Sequence, residues 1–530
     1  LLRADFKLSS RVTKYWHSLL LTLLAVPTFK SHLAAAYCDT YQRVTSEYAR
    51  GMGVLERSGY ALSVQFLNRV TYVVDLVQGR DLLGKLGASL LETLRVAALP
   101  SRTLNPNHFV LTHRRYSPCI SDLKCVLNVK GMPRLFANLG NTFLQDWISA
   151  LALGQMMDPQ LWRDWSEGHI ELEVRGWVGA FNASISLGSL FERLLSWDDE
   201  DPSPIKDPNS PLSKNLLSCV ELTLHVLVAG VGSWQDSEMA SYQATPYTAS
   251  LEPYKRRPAS LPFSTVAAKH GSVLAFRALP MSQKTPFSFH LPLHRFVAAC
   301  LREVGLRQMG MDALLDKLSA KIPEPQSLFL GLMEFPLYVL SRAAQVRAGL
   351  WKRNGNGLSD QVLNYAEPPF CRAMRDADLL LVQFAMLGRT HKQTTDLRPD
   401  SDVGVCFLVH LLLHRLGIFD FCGLAKAPNS DINRYLDEVQ KGLYSPEQNA
   451  SDDAMSEDFL LPWTYSPARD AASCLLLLEE FLHTMITLCC ELPPLPPTDK
   501  SDHTAQAKWR LRREVIHRLA SGPKTHSELA

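Results

Sequence analysis

Apolar residues recur at steps of three and four along most of this chain, and strict apolar–polar alternation is rare. That spacing is helical, because one face of an α-helix returns every three to four residues. It constrains the fold more than any single motif does. Helices with apolar stripes must bury them against one another, so the expected class is mainly α: an irregular multi-helix scaffold of antiparallel helices. No fixed-length repeat is visible, which argues against a regular solenoid. At 530 residues the chain exceeds the usual size of one domain, and its 46% apolar content can fill large cores.

Two helices are clearest. In the first, Pro336 sits where a helix starts, since its missing N–H costs nothing there. Leu337, Leu340, Ala344, Ala348 and Trp351 make a stripe expected to be buried, with Trp351 as its core anchor. Arg342, Gln345, Arg347 and Lys352 lie mostly off it, and Asn354-Gly355 supplies a left-handed stop. In the second, Leu475, Leu478, Leu482, Met485, Ile486 and Cys489 make one apolar face, and Pro493 ends the helix. Between them, Asp376 to Leu387 and Val405 to Phe419 read as further buried helices. Pro253 to Pro292 is less regular, and Phe287-Ser-Phe-His-Leu alternates like a short strand.

Three stretches read as linkers. Residues 197–211 are acidic and proline-rich, 442–458 are polar and acidic, and Leu492-Pro-Pro-Leu-Pro-Pro should run as extended polyproline II, mostly as a spacer although it carries PxxP spacing. The division expected is an N-terminal helical unit over 1–196, a linker and loop over 197–252, a central helical scaffold over 253–491, a spacer over 492–507 and the start of another unit over 508–530.

The chemistry expected is sparse. The formal net charge of +2 gives no global pull toward nucleic acid or acidic lipid. The locally basic Lys508 to Arg518 reads as a solvated helix face, with phosphate binding the sharper alternative. The apolar runs at Leu19–Val26 and Cys474–Cys490 read as buried faces of soluble helices, so no membrane partner is expected. Eleven cysteines show no zinc-ligand spacing and read as reduced, mostly buried thiols. His410 and His414 share a helix face, but Leu411 stands where a zincin needs Glu. Gly355-Asn356-Gly357 follows a helix rather than a strand, so it is not a phosphate loop, and Glu479-Glu480 point to different faces. No catalytic, cofactor-binding or metal-binding residue is assigned.

Several phrases, in order, resemble the central region of the UBR-box N-recognin ubiquitin ligases, and suggest a fungal-type member. They are Ile120-Ser-Asp-Leu-Lys-Cys-Val-Leu-Asn, Phe289-His-Leu-Pro-Leu-His-Arg-Phe, Glu334-Phe-Pro-Leu with Ala344 to Gly355, Cys371-Arg-Ala-Met-Arg-Asp-Ala-Asp, Leu478-Glu-Glu-Phe-Leu, and Glu514-Val-Ile-His-Arg-Leu with His526-Ser-Glu-Leu. The likeness runs from about Ser117 onward and is weaker over the first hundred residues. It implies a RING-type ligase that reads destabilising N-termini. Its partners would be a ubiquitin-conjugating enzyme, ubiquitin and N-degron substrates, and it would act in the cytoplasm or nucleus. Zinc would sit in a UBR box and a RING outside this segment, which would itself hold no cofactor. The resemblance also implies that a winged-helix unit begins near residue 508 and is cut short here.

Overall fold

The computed structural model describes residues 10–51, 66–67, 69–98, 104–105, 107–129, 132, 142–155, 161–164, 169–171, 177–195, 223, 263–268, 271–276, 288–302, 314–316, 325–349, 355–368, 370–390, 412–413, 415–418, 471–490, 511 and 515. The helices are α1 (Ser10–Leu23), α2 (Pro27–Ala49), α3 (Val70–Arg80), α4 (Leu82–Arg95), α5 (Phe109–Thr112), α6 (Ser117–Leu127), α7 (Thr142–Leu153), α8 (Trp177–Leu195), α9 (Pro292–Leu301), α10 (Pro325–Arg347), α11 (Gly355–Ala366), α12 (Arg375–Thr390) and α13 (Ala471–Cys490). The mainly-α expectation holds. Two antiparallel hairpins interrupt it: β1 (Leu161–Asp164) with β2 (His169–Glu171), and β3 (Phe263–Ala268) with β4 (Gly271–Phe276), the latter paired from Phe263 opposite Phe276 to Ala268 opposite Gly271.

The N-terminal helices pack as their stripes dictate. In α4, Leu83, Leu86, Leu90 and Leu94 are all buried, and α4 lies between α2 and α7. It approaches α7 closely because position 87 is glycine: a Cβ there would stand 2.8 Å from the Phe143 ring. Asp81 turns the chain from α3 into α4 in the left-handed region (φ 51°), and its carboxylate accepts from the Gly84 N–H at 3.3 Å. At the far side α8 presses on α5, where a Cβ on Gly179 would meet the Leu111 carbonyl at 2.8 Å. One hydrophobic cluster runs from Leu20 through α2, α4, α7, α9 and α12 to Leu488.

In the C-terminal part several expectations fail. The helix expected to start at Pro336 starts at Pro325, and Pro336 lies inside it. It ends in a left-handed turn at Gly349 (φ 73°), while Asn354-Gly355 is not a stop: Gly355 opens α11. Leu337, Ala344 and Ala348 are buried as expected, but so are Arg342 and Gln345, both fully. The helix is enclosed on more than its stripe, and the polar side chains satisfy one another: Arg342 donates to Gln345 Oε1 at 2.7 Å and to the Tyr338 hydroxyl at 2.9 Å, and Gln345 Nε2 donates to the Leu416 carbonyl at 3.1 Å. Ser288–Leu291 joins no strand ladder and leads into α9. In α13 the buried residues are Cys474, Leu477, Phe481 and Leu488, whereas Leu475, Leu482 and Ile486 of the expected buried face are about half exposed, at 56%, 50% and 51%. Trp351, His410, His414, the three linkers and most of 508–530 lie outside the described residues.

Candidate functional site

Helix α9 opens with Pro292 at its first position and is buried on every side from Pro292 to Leu301. A helix enclosed all round is ordinarily apolar, yet this one carries His294 and Arg295. A buried guanidinium is tolerated only with a counter-charge and filled hydrogen-bond positions. Both come from neighbouring helices. Arg295 Nε and Nη2 reach the two oxygens of Asp378, on α12, at 3.1 and 3.0 Å, and Nη1 donates to the Phe289 carbonyl at 2.8 Å. The Tyr365 hydroxyl, from α11, donates to Asp378 Oδ2 at 2.8 Å. The exposure of Asp378 is 0%. Three helices are thus joined through one carboxylate.

The electrostatics fit a clasp. Burial pushes the Asp378 carboxyl upward, and Arg295 and Tyr365 oppose that shift by supporting the charge. Burial, then the facing Asp378 charge, raises Tyr365 well above the ordinary phenol value, which keeps its proton available for donation. Beside the clasp, Gln155 follows α7. Its Oε1 accepts from the Leu293 N–H at 3.1 Å, an N–H that the first turn of α9 cannot satisfy, and its Nε2 donates to His294 Nδ1 at 3.0 Å. His294 and His290 are both lowered to about 3, by burial first and by the Arg295 charge second. Both imidazoles are therefore neutral at physiological pH.

This arrangement holds three helices together. Both Asp378 oxygens are engaged, and the group has no solvent access for proton exchange. Among the described residues no three His, Cys, Asp or Glu side chains converge where a metal could sit. Cys119 and Cys125, six residues apart on α6, are a buried and a half-buried thiol outside any disulfide. Two clefts flank the clasp. One lies near Leu187, Phe296, Arg302 and Ala377; the other lies between α10, α12 and α13, near Ser341, Arg347, Arg375 and His483. Across the second, Arg347 pairs with Glu480 at 3.1 Å, and Gln383 on α12 donates to the Thr487 and Leu488 carbonyls at 3.3 and 3.1 Å, closing the last turn of α13. Among the described residues, one helix (Ala471–Leu488) is long and apolar enough to cross a membrane by length and composition.

Sequence reasoning assigned no residue here. The signal available was a charged or polar residue inside an otherwise apolar run, Arg295 in α9 and Asp378 in α12, both within the phrases that carried the family resemblance.

Comparison with known proteins gives the same direction. Residues 1–391 match the family described as the UBR1/2/3-like ARM repeat domain, so the match includes the first hundred residues. The chain is 25% identical to human E3 ubiquitin-protein ligase UBR2 over 545 residues, covering 100% of this chain and 25% of that protein. It is 24% identical to fruit-fly E3 ubiquitin-protein ligase Ubr3 over 376 residues, 69% of this chain and 14% of that one. A segment of 96 residues is 34% identical to zebrafish E3 ubiquitin-protein ligase ubr3, 18% of this chain and 5% of that protein. The chain spans a quarter or less of the length of these relatives.

Proposed function

The chain belongs to the UBR1/2/3-like ARM repeat family, and from that premise we propose that it is the non-catalytic helical scaffold of a RING-type ubiquitin ligase that recognises destabilising N-terminal residues. The family match over 391 residues carries this reading, and the buried clasp supports it, because a three-helix ionic junction resists bending better than an apolar contact that can slide. Within the longer polypeptide, zinc would belong to substrate-binding and RING regions, and the partners would be a ubiquitin-conjugating enzyme, ubiquitin and N-degron substrates, in the cytoplasm or nucleus. No nucleic acid and no membrane take part.

The physical task is distance-keeping. A ligase of this type works by raising the local concentration of a substrate lysine at a charged ubiquitin thioester, and good orientation removes up to ~7–11 kcal/mol of barrier in ideal cases. A stiff spacer keeps that gain, while a loose one dilutes it over many arrangements. The test is Asp378→Ala in the full-length ligase. Ubiquitin transfer to a substrate with a basic N-terminus is expected to slow, with binding of the matching N-terminal peptide unchanged. Peptide affinity falling in step with transfer would overturn the scaffold reading, as would an unchanged transfer rate.

A further inference from the structure

The sequence places a unit boundary between α8 and α9, at the acidic, proline-rich residues 197–211. The packing ignores it. Helix α8 is wedged between the two expected units. One side lies on α5 and α6, where the Tyr116 hydroxyl donates to the Gly179 carbonyl at 3.3 Å. Another lies on α9 and on the Cys371–Ala373 turn ahead of α12. Phe181 makes that contact specific: it is buried, with its ring edge-on to His290 at 6.0 Å and to Phe370 at 6.1 Å between centroids. Helix α7 reaches the same place. Its Leu151 shares a cleft with Leu187 of α8 and Phe296 of α9, and all three belong to one buried cluster.

An apolar junction alone could slide, because area burial is non-directional. This one is keyed by Gln155, whose buried amide engages α9 at both ends, through the Leu293 N–H and His294 Nδ1. Each of those contacts has one direction, so the two sides meet in a single register. The helices before the expected boundary therefore complete the core of the helices after it.

We infer that residues 142–195 and 288–390 form one cooperative unit held by this junction, and that the chain between α8 and α9 is not needed to hold them. The partner that fits the exposed side of an isolated α9 is the α7–α8 pair of the same chain. Cutting the chain within 197–211 then yields a two-piece complex and not two free domains. The inference is independent of the ligase reading, because its test reads association and not ubiquitin transfer.

The experiment is a single cut in the full-length protein, at a protease recognition sequence inserted between Pro204 and Ile205. The two pieces are expected to co-elute in gel filtration at about a micromolar. Once the chain is cut, Phe181→Ala with Leu187→Ala is expected to weaken their association by roughly tenfold or more, and Gln42→Ala, at an exposed position on α2, to leave it unchanged. Separation of the wild-type pieces in native buffer would overturn the inference. So would undiminished association of the Phe181 and Leu187 variant, since another contact would then hold the pieces. The uncut protein gives a second measurement that needs no substitution. In rising urea, the amides of α7, α8 and α9 are expected to lose protection from hydrogen exchange in one step. Protection lost from α7 and α8 at a lower urea concentration than from α9 would mean two units.

Discussion

The N-terminal helices and the segment from α9 to α12 solve the packing problem differently. Around α4, apolar stripes meet apolar stripes, the Tyr41 hydroxyl donates to the buried Asp122 carboxylate at 2.8 Å, and the charged pairing stays at the margin: Ser46 and Arg50 reach Glu92 at 2.6 and 3.2 Å on a largely exposed surface. Around α9, charges cross the core itself, and Arg295, Asp378, Tyr365, Arg342 and Gln345 are all buried. The first kind of contact is non-directional and tolerant, since its strength scales with apolar area removed from water. The second fixes register, because each donor has one acceptor in one direction.

Among single substitutions the largest expected effect comes from breaking the second kind. Asp378→Ala leaves a buried, unpaired guanidinium and should cost ~3–5 kcal/mol in urea denaturation. A loss near zero would mean that water or relaxation replaces the carboxylate, and the two regions would then not differ. Next comes acid. His290 and His294 titrate near 3 when folded and near 6.5 when unfolded. The unfolded chain therefore binds more protons across that window, and stability should fall as pH drops from about 6.5 toward 3, by up to about 1.4 kcal/mol per pH unit for each histidine. Denaturation midpoints over that range should flatten in the pair His290→Phe and His294→Leu; an unchanged slope would place the sensitivity elsewhere.

In the N-terminal region the sensitive spot is steric. Gly87→Ala pushes a methyl against Phe143 and should cost ~1–3 kcal/mol, measured as a lowered melting temperature. The smallest effect is expected at its polar margin, where Glu92→Ala removes exposed contacts worth at most ~1 kcal/mol. If Glu92→Ala cost as much as Asp378→Ala, the contrast between the regions would collapse.

The helical class was readable in the chain because a period of three to four survives translation into structure unchanged. The α10 and α13 stripes were read in part: Leu337, Ala344 and Ala348 are buried, but so are Arg342 and Gln345 beside them, and α13 packs on a face one residue away from the expected one. A helix apolar over a wide arc does not specify which part of that arc its neighbour takes. The armadillo-type architecture named by the family match was not visible as a repeat, because units of ~40–47 residues with irregular insertions leave no fixed period. The clasp was invisible for another reason: its partners stand 83 residues apart, Arg295 and Asp378, and no local pattern pairs them.

By itself the sequence determined that this chain is helical, that α10 and α12 carry apolar faces requiring burial, and, through phrases in order, which family it joins. Those properties are local, set by side-chain spacing and identity. The tertiary structure alone decided that Pro336 sits inside a helix, that Gly349 rather than Gly355 ends it, that Arg295 meets Asp378 and Tyr365, and that α13 leaves Leu475, Leu482 and Ile486 half exposed. Each depends on which surfaces meet, and that is fixed by the free energy of the whole packed array rather than by any one segment of it.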